Sequence, residues 1–468
     1  MKQLYASSLD DQEVLPFNNK NQYYDHQKSN PKFAILRGAV TVLTILTLIP
    51  LLYYPLLSYH SNFLLSNPSS SSSSSSSSFP NLINSSSSPD LLLTTSTSSP
   101  SSSIQDDVVQ NSVSNEESND KCDLFAGKWV WEPESAPYYT NMTCTAIHEH
   151  QNCMKYAKPN LDFTKWRWRP DECVLPLFNP EKFLEIVRGK SLGFVGDSIA
   201  RNQMQSLICL ISKVVYPVEV SDASKLQTKT WFYSNYNFTL SIFWSPYLVK
   251  TKEATPNSGR FNLYLDEVDP EWITHIHNYD YLIISAGQWF FRPSMFYENN
   301  TDLVGCLYCK DDINCTHFGV TYGYRRAFET TFKAINSLAD FNGITFLRTI
   351  SPSHFENGLW DEGGNCIRTR PFMLNETSLN GENLDMYTTQ VEELKVAERD
   401  AVERNDGLKR FRLLDTSKAM WLRPDGHPNS HWHEPQDTNT YNDCVHWCLP
   451  GPIDVWNDFL LEILKRES

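Results

Sequence analysis

Basic charge is in short supply along this 468-residue chain: 40 Lys and Arg stand against 55 Asp and Glu, for a formal net charge of −15. Proteins that hold a phosphate backbone neutralise it with clustered Lys and Arg, so the deficit argues against a nucleic-acid partner. No internal repeat is visible, which excludes solenoid and propeller architectures. Most of the 11 cysteines are dispersed and lack the close pairing that metal ligation requires. Disulfides are the expectation instead, and with them an oxidising compartment. What is present suits a large core: 40% of residues are hydrophobic, and the aromatics include 13 Trp. The length accommodates one large α/β domain or two ordinary ones, with tails.

Charge is missing altogether from Gly38 to Leu57. Twenty residues at a rise of about 1.5 Å span a hydrocarbon core of about 30 Å, so this segment reads as a membrane helix. It is too long, too far from the start and too poor in small-residue cleavage signals to be a removed leader. Lys28, Lys32 and Arg37 precede it and no charge follows before Asp90. The positive-inside rule then predicts a cytosolic tail over 1–37, a transmembrane signal anchor over 38–57 and a lumenal remainder. Residues 58–120 are dominated by serine, with an unbroken run from Ser69 to Ser78, and read as a flexible stalk. Sequons at Asn84, Asn141, Asn237, Asn299, Asn314 and Asn375 fit a glycoprotein of the secretory lumen. The catalytic domain is expected over 121–468.

Within that domain, Cys122 to Cys173 carries four cysteines and many aromatics with little periodicity, and reads as a disulfide-stapled, loop-rich subregion. Trp166 and Trp168 are expected in its core. Strands are predicted at Leu192–Val195, Tyr281–Ser285, Thr345–Ile350 and Phe411–Leu414. Helices are predicted from Ala200 onward, around Tyr324–Leu338 and Thr388–Arg404, and over Pro452–Lys465. Such alternation predicts a mostly parallel sheet covered on both faces, with function at the carboxyl ends of its strands.

One stretch stands out chemically. In Ser191-Leu-Gly-Phe-Val-Gly-Asp-Ser198 a buried strand hands over to a helix, at a Gly196-Asp-Ser turn. Ser198 is thereby placed where the first helical N–H groups and the helix dipole favour an oxyanion. A serine nucleophile needs a base and an orienting acceptor. Asp443 and His446, three residues apart in Tyr441-Asn-Asp-Cys-Val-His-Trp-Cys448, supply a carboxylate and an imidazole on one side of a turn. Gln288 and Trp289 follow the Tyr281 strand, Gln288 as a donor to an oxyanion and Trp289 as a platform for the apolar face of a sugar. His427, His431 and His433 lie in an irregular loop with no matching carboxylate or cysteine set, and no metal is assigned to them. Cys306, Cys309, Cys315 and His317 have a zinc-like look, but a local disulfide with one odd thiol is the preferred reading.

These motifs together resemble the plant trichome-birefringence-like family of polysaccharide O-acetyltransferases. The resemblance runs from Cys122-Asp-Leu-Phe-Ala-Gly-Lys-Trp-Val130 through Trp166-Arg-Trp-Arg-Pro170 and the Gly-Asp-Ser block to Asp443-Cys-Val-His-Trp-Cys448, and includes the anchor-and-stalk layout. It implies a three-layer, esterase-like domain of the Gly-Asp-Ser type, in a single-pass type II protein of the Golgi membrane. Ser198 is then the nucleophile, His446 the base and Asp443 its orienting partner. Gly196 and Arg201 belong to the oxyanion or substrate region, where related esterases carry an asparagine in the block that here holds Gln288. The implied disulfides are Cys122 with Cys173, Cys144 with Cys209, Cys153 with Cys448, and Cys366 with Cys444. Ser285-Ala-Gly-Gln-Trp-Phe-Phe-Arg-Pro293 and His354-Phe-Glu-Asn-Gly-Leu-Trp360 are similar to the altered-xyloglucan-4-like subgroup. That likeness implies acetyl transfer to a cell-wall hemicellulose, xyloglucan first and mannan as the alternative. No bound cofactor is expected, only an acetyl donor of unknown identity as co-substrate. Hydrolysis by the same residues, or glycan binding without catalysis, are the competing readings.

Overall fold

The computed structural model describes residues 122–468, apart from 222–227, 257, 310–313, 405–409 and 435–440. The tail, anchor and stalk expected over 1–120 lie outside the described residues. Among the described residues, no helix is long and apolar enough to cross a membrane.

The chain begins with two short strands, β1 (Gly127–Trp131) and β2 (Trp166–Pro170), followed by helix α1 (Pro180–Ile186). Then come β3 (Ser191–Gly196), α2 (Ser198–Ile211), β4 (Val218–Glu219), β5 (Thr228–Tyr233), β6 (Phe238–Trp244), β7 (Val249–Glu253) and β8 (Phe261–Val268). After the single turn α3 (Pro270–Ile273) follow β9 (Tyr281–Ser285), β10 (Ser294–Glu298), β11 (Asp302–Leu307) and α4 (Val320–Ser337). The chain closes with β12 (Ile344–Arg348), α5 (Gly381–Glu403), β13 (Arg410–Leu414), α6 (Ser417–Trp421) and α7 (Asp454–Glu467).

The main sheet has the order β13-β12-β9-β3-β6-β5-β4. Its five strands from β13 to β6 run parallel, and β5 and β4 continue it in antiparallel fashion. Successive residues of a strand point to opposite faces, and here both faces are buried, which is why these strands read as continuous apolar runs. Leu192 and Phe194 of β3, Ile283 of β9 and Phe346 of β12 join one core with Leu207, Ile208 and Ile211 of α2 and Trp456, Phe459 and Leu460 of α7. Val195, Leu282, Ile284 and Leu347 join the other, against Tyr324, Phe328 and Phe332 of α4 and Leu394 and Ala397 of α5. The layers are therefore helix, sheet, helix.

Two parts depart from the sequence reading. A second sheet, ordered β11-β10-β8-β7, is inserted around β9; bulges interrupt the β10–β11 and β7–β8 pairings, and its strands carry polar residues among the apolar ones and so lack the continuous apolar runs that mark the main sheet. Helix α5 starts at Gly381, seven residues before the predicted Thr388; its first turn is mostly polar and exposed and so carries no apolar periodicity. The subregion before α1 is loop-rich as expected, yet β1 and β2 pair antiparallel within it, with Trp129 opposite Trp168. It is stapled by Cys122–Cys173 and joined to α2 by Cys144–Cys209. Trp168 is buried and Trp166 half-buried, consistent with packing roles.

Helix α7 brings two buried carboxylates to the seam with this subregion. Asp458 accepts from Tyr138 Oη at 2.8 Å and from the Phe178 N–H at 3.0 Å. Burial pushes its carboxyl up to about 8, against the pull of the Tyr138 hydrogen bond. A carboxyl raised on folding contributes stability that is full below its unfolded value of about 4 and is lost as pH rises through the folded value. The unfolding midpoint is therefore expected to fall as the pH is raised towards 8. Asp458→Asn keeps an acceptor for Phe178 and should flatten that fall, gaining about 1 kcal/mol or more at pH 8 relative to wild type. Thermal unfolding at pH 6 and pH 8 checks it, and a variant that follows the wild-type curve contradicts it.

Candidate active site

Strand β3 ends on Gly196 at φ +156°, a conformation L side chains rarely adopt, and a Cβ there would run into the carbonyl oxygen of Ser285. Only glycine lets β3 turn this close to β9. Asp197 caps α2: its Oδ1 accepts from the Ile199 N–H at 3.0 Å and its Oδ2 from the Gly287 N–H at 3.1 Å. One buried carboxylate thus ties the turn after β3 to the turn after β9. Burial raises the Asp197 carboxyl, opposed by the charge of Arg348. Ser198 is then the first residue of α2, with its N–H in the turn that has no intrahelical acceptor.

The chain returns to this point 248 residues later. His446 Nε2 lies 2.8 Å from Ser198 Oγ, and its Nδ1 lies 2.8 Å from Asp443 Oδ2. Asp443 Oδ1 accepts from the backbone N–H groups of Val445 at 3.0 Å and His446 at 2.9 Å. Burial alone would raise the Asp443 carboxyl; the facing His446 and these hydrogen bonds outweigh it and hold the group at about 2. An ionised Asp443 keeps the proton of neutral His446 on Nδ1, which leaves Nε2 as an acceptor for the serine proton. The site is open to solvent through the histidine: the His446 side chain is 22% exposed and that of Asp443 only 4%.

Several contacts hold the loop that carries His446. Cys444 is bonded to Cys366 and Cys448 to Cys153, one bridge on each side of the imidazole. Asn202, one turn into α2, accepts from the Trp447 N–H at 2.8 Å and donates to the Trp447 carbonyl at 3.3 Å. Trp447 Nε1 donates to Ser351 Oγ, in the loop after β12, at 2.8 Å. His427 Nδ1 donates to the His446 carbonyl at 2.7 Å while its ring stacks on Trp447 at 4.0 Å. Residues that follow β3 and β12 thus hold the base loop, and the turn after β9 is tied to the same edge through Asp197 and Ser351, at the carboxyl ends of parallel strands, the usual place for a site on an open α/β sheet.

The remaining predicted residues are all near this edge, in differing states. Arg201 lies one turn beyond Ser198 on the same face of α2, with its guanidinium 5.8 Å from the centre of the Trp244 ring. Gln288 Nε2 donates to the Ser351 carbonyl at 2.7 Å, which directs that amide towards the loop after β12. Trp289 sits in an aromatic group with Trp244, Tyr247 and Phe261, and the Arg292 guanidinium lies 3.7 Å from its ring centre. His431 and His433 do not join His427: they bond separately to the carbonyls of Tyr156 and Glu434. The sequence reading missed Asp197 as a double cap, Asn202 as a clamp and His427 as a support. Asp197 and Asn202 flank the serine in sequence and were within reach; His427 stood out only as one of three clustered histidines, and nothing marked it as a support, since its partners are the His446 carbonyl 19 residues away and the ring of His354.

Residues 175–463 match the GDSL/SGNH-like acyl-esterase family found in Pmr5 and Cas1p, and residues 120–174 match the PMR5 N-terminal domain. The chain is 53% identical to protein trichome birefringence-like 19 of Arabidopsis thaliana, over 77% of this chain and 85% of that protein. The chain belongs to the trichome-birefringence-like family. Other family members similar to it are xyloglucan O-acetyltransferase 4 of Populus trichocarpa, 44% identical over 74% of this chain and 82% of that protein, and xyloglucan O-acetyltransferase 2 of Arabidopsis thaliana, 41% identical over 74% and 83%. The boundary between the two family domains falls one residue past Cys173, where the stapled subregion ends. All four disulfides that the family resemblance implied have the same partners in the structure.

Proposed function

We propose that this family member is a polysaccharide O-acetyltransferase that works through an acetyl-serine at Ser198, with xyloglucan as acceptor. The observation that carries the reading is the continuous hydrogen-bonded line Asp443–His446–Ser198, at 2.8 Å for each side-chain step. The acceptor comes from the relatives named as xyloglucan O-acetyltransferases.

In the first half-reaction Ser198 Oγ gives its proton to His446 Nε2 and forms a bond to the acetyl carbon of the donor. The tetrahedral oxyanion lies by the start of α2, where the Ser198 N–H and the helix dipole stabilise it and Arg201 adds positive charge. Collapse breaks the bond to the donor's leaving group, which takes the proton from His446. In the second half a sugar hydroxyl gives its proton to Nε2 and attacks the acetyl carbon; the bond to Ser198 breaks and Oγ recovers the proton. One base and one set of donors serve both halves. The same reading keeps residues 38–57 as a Golgi membrane anchor, 58–120 as a stalk and the site in the lumen, supported by the charge asymmetry and serine content of that segment.

The test is to incubate the purified full-length protein with an acetyl donor and a panel of xyloglucan, mannan and xylan oligosaccharides. New ester on xyloglucan, with acetyl trapped on the Ser198 peptide, is expected. Ester on mannan instead would replace the acceptor, and free acetate without glycan ester would replace transfer by hydrolysis.

A further inference from the structure

Two aromatic rings near the base stand open where Trp289 does not. The Arg292 guanidinium lies 3.7 Å from the Trp289 ring centre, and the rings of Trp244, Tyr247 and Phe261 pack around it, so a face that a sugar would need is taken. Tyr441 is 36% exposed and Trp360 42%, and neither belongs to the machinery described above.

The chain places both beside His446. Asn429 and Asp443 pair as an antiparallel bridge, each N–H donating to the other's carbonyl at 2.8 Å, which fixes both ends of the loop between them at the catalytic carboxylate. Tyr441 stands two residues before Asp443, about 7 Å of chain at most. Trp432 holds its ring: the ring centres are 5.0 Å apart, and Trp432 Nε1 donates to the Tyr441 carbonyl at 3.0 Å. Trp432 is braced in turn by His150 of the N-terminal subregion, at 4.6 Å. Trp360 stands on a hairpin between β12 and α5 that is closed by a bridge of Glu356 with Asn365 and bonded to the base loop through Cys366–Cys444. A short line of hydrogen bonds joins the neighbours of the two rings. The Gly364 N–H donates to the Leu359 carbonyl at 2.9 Å, and the Gly364 carbonyl accepts from Asn442 Nδ2 at 2.8 Å. Leu359 precedes Trp360 and Asn442 follows Tyr441, so both rings rise from one hydrogen-bonded corner. Exposed apolar surface gathered beside a reactive group is the mark of a ligand groove.

We propose that Tyr441 and Trp360 form the subsite on which the sugar backbone of the acceptor lies while one of its hydroxyls faces His446. This deepens the reading of Ser198 as an acetyl carrier and rests on it. The occupant is a neutral β-linked hexopyranose chain, the glucan backbone of xyloglucan on that reading. Its pyranose rings carry their hydroxyls at the rim and present flat C–H faces, which pack on aromatic rings without needing a charge. Tyr441 rides on the loop that carries Asp443 and His446. A sugar bound there is held in register with the base, and its binding energy goes into orienting the attacking hydroxyl.

The test uses the full-length protein in detergent and a xyloglucan oligosaccharide, first without acetyl donor. Calorimetry should give a Kd raised about 10-fold in Tyr441→Ala and in Trp360→Ala, and close to wild type in Tyr441→Phe, which keeps the ring. Unchanged Kd in both alanine variants overturns the proposal. Binding needs no acetyl-serine, so this outcome is separate from the fate of the acyl-serine reading. With donor present, the alanine variants should raise the acceptor KM by a similar factor with kcat little changed; a fall in kcat at constant KM would make the rings supports of the base loop and overturn the subsite. In wild-type protein, where no substitution can disturb the fold, hydroxyl-radical labelling of Tyr441 and Trp360 should fall when the oligosaccharide is added, and constant labelling speaks against the subsite in the same way. A mannan oligosaccharide that binds in place of xyloglucan with the same sensitivity to both substitutions supports the subsite and replaces the acceptor of the proposed function.

Discussion

Ser198→Ala is expected to lower acetyl transfer by at least about 10⁴-fold while the protein stays folded. The substitution removes one oxygen from a position with 9% exposure and leaves the framework around it intact. Gly196 still turns against Ser285, Asp197 still caps α2 and bridges to Gly287, and Asn202 still clamps Trp447. What disappears is the atom to which the acetyl group would be bonded. The unfolding midpoint should therefore stay close to that of wild type, while the acetyl adduct on the Ser198 peptide vanishes. His446→Ala should cost a similar factor, and the double variant little more, because residues acting on one step are not additive. Full transfer activity in Ser198→Ala would end the acyl-serine reading.

Asp443→Asn should lower the rate of transfer by about 10³ to 10⁴-fold with acceptor KM little changed. The reasoning is in the hydrogen bonds. Asp443 Oδ1 receives two backbone N–H groups and Oδ2 receives the His446 Nδ1 proton. An asparagine must turn its oxygen to the two backbone donors, and its NH2 group then faces Nδ1. That arrangement selects the tautomer with the proton on Nε2, which then donates to Ser198 Oγ and can no longer accept the serine proton. The base is present but filled. A pH signature accompanies the loss. The wild-type carboxyl is depressed to about 2 on folding, so its contribution to stability is present above the unfolded value of about 4 and is lost as the pH falls from there through about 2. Asp443→Asn has no such carboxyl and should show a correspondingly weaker acid limb in its unfolding midpoint. A variant with wild-type turnover would show that Asp443 only shapes the loop.

Much of this site was legible from short stretches. The strand-to-helix passage at Gly196-Asp-Ser198 shows as an apolar run meeting helical spacing, because burial on both faces of a parallel strand leaves a local mark. Asp443 and His446 are three residues apart, so their pairing is a property of one turn and needed no knowledge of the rest. The parallel sheet follows from alternation of strand and helix, which is likewise a local pattern repeated along the chain.

Other features depend on what packs against what. Gln288 follows β9 as predicted, yet the structure engages its amide with the Ser351 carbonyl after β12, a neighbour set by strand order. Trp289 is an aromatic at the right edge, and its Arg292 cover is invisible until the turn after β9 is built. His427 reaches His446 only because the base loop is folded back and stapled at Cys444 and Cys448.

By itself the amino-acid sequence determined the net negative charge of the chain, the nucleophile turn and the spacing of the Asp443 and His446 pair. These rest on composition and on residues within a few positions of one another, where chain geometry leaves little choice. The tertiary structure alone decided that His446 closes on Ser198 across 248 residues, that one carboxylate, Asp197, joins two strand ends, and that three cysteines and a histidine share one corner of an inserted sheet. Contacts of that kind are set by strand order, register and packing, which depend on the whole chain at once and leave no mark on any short stretch of it.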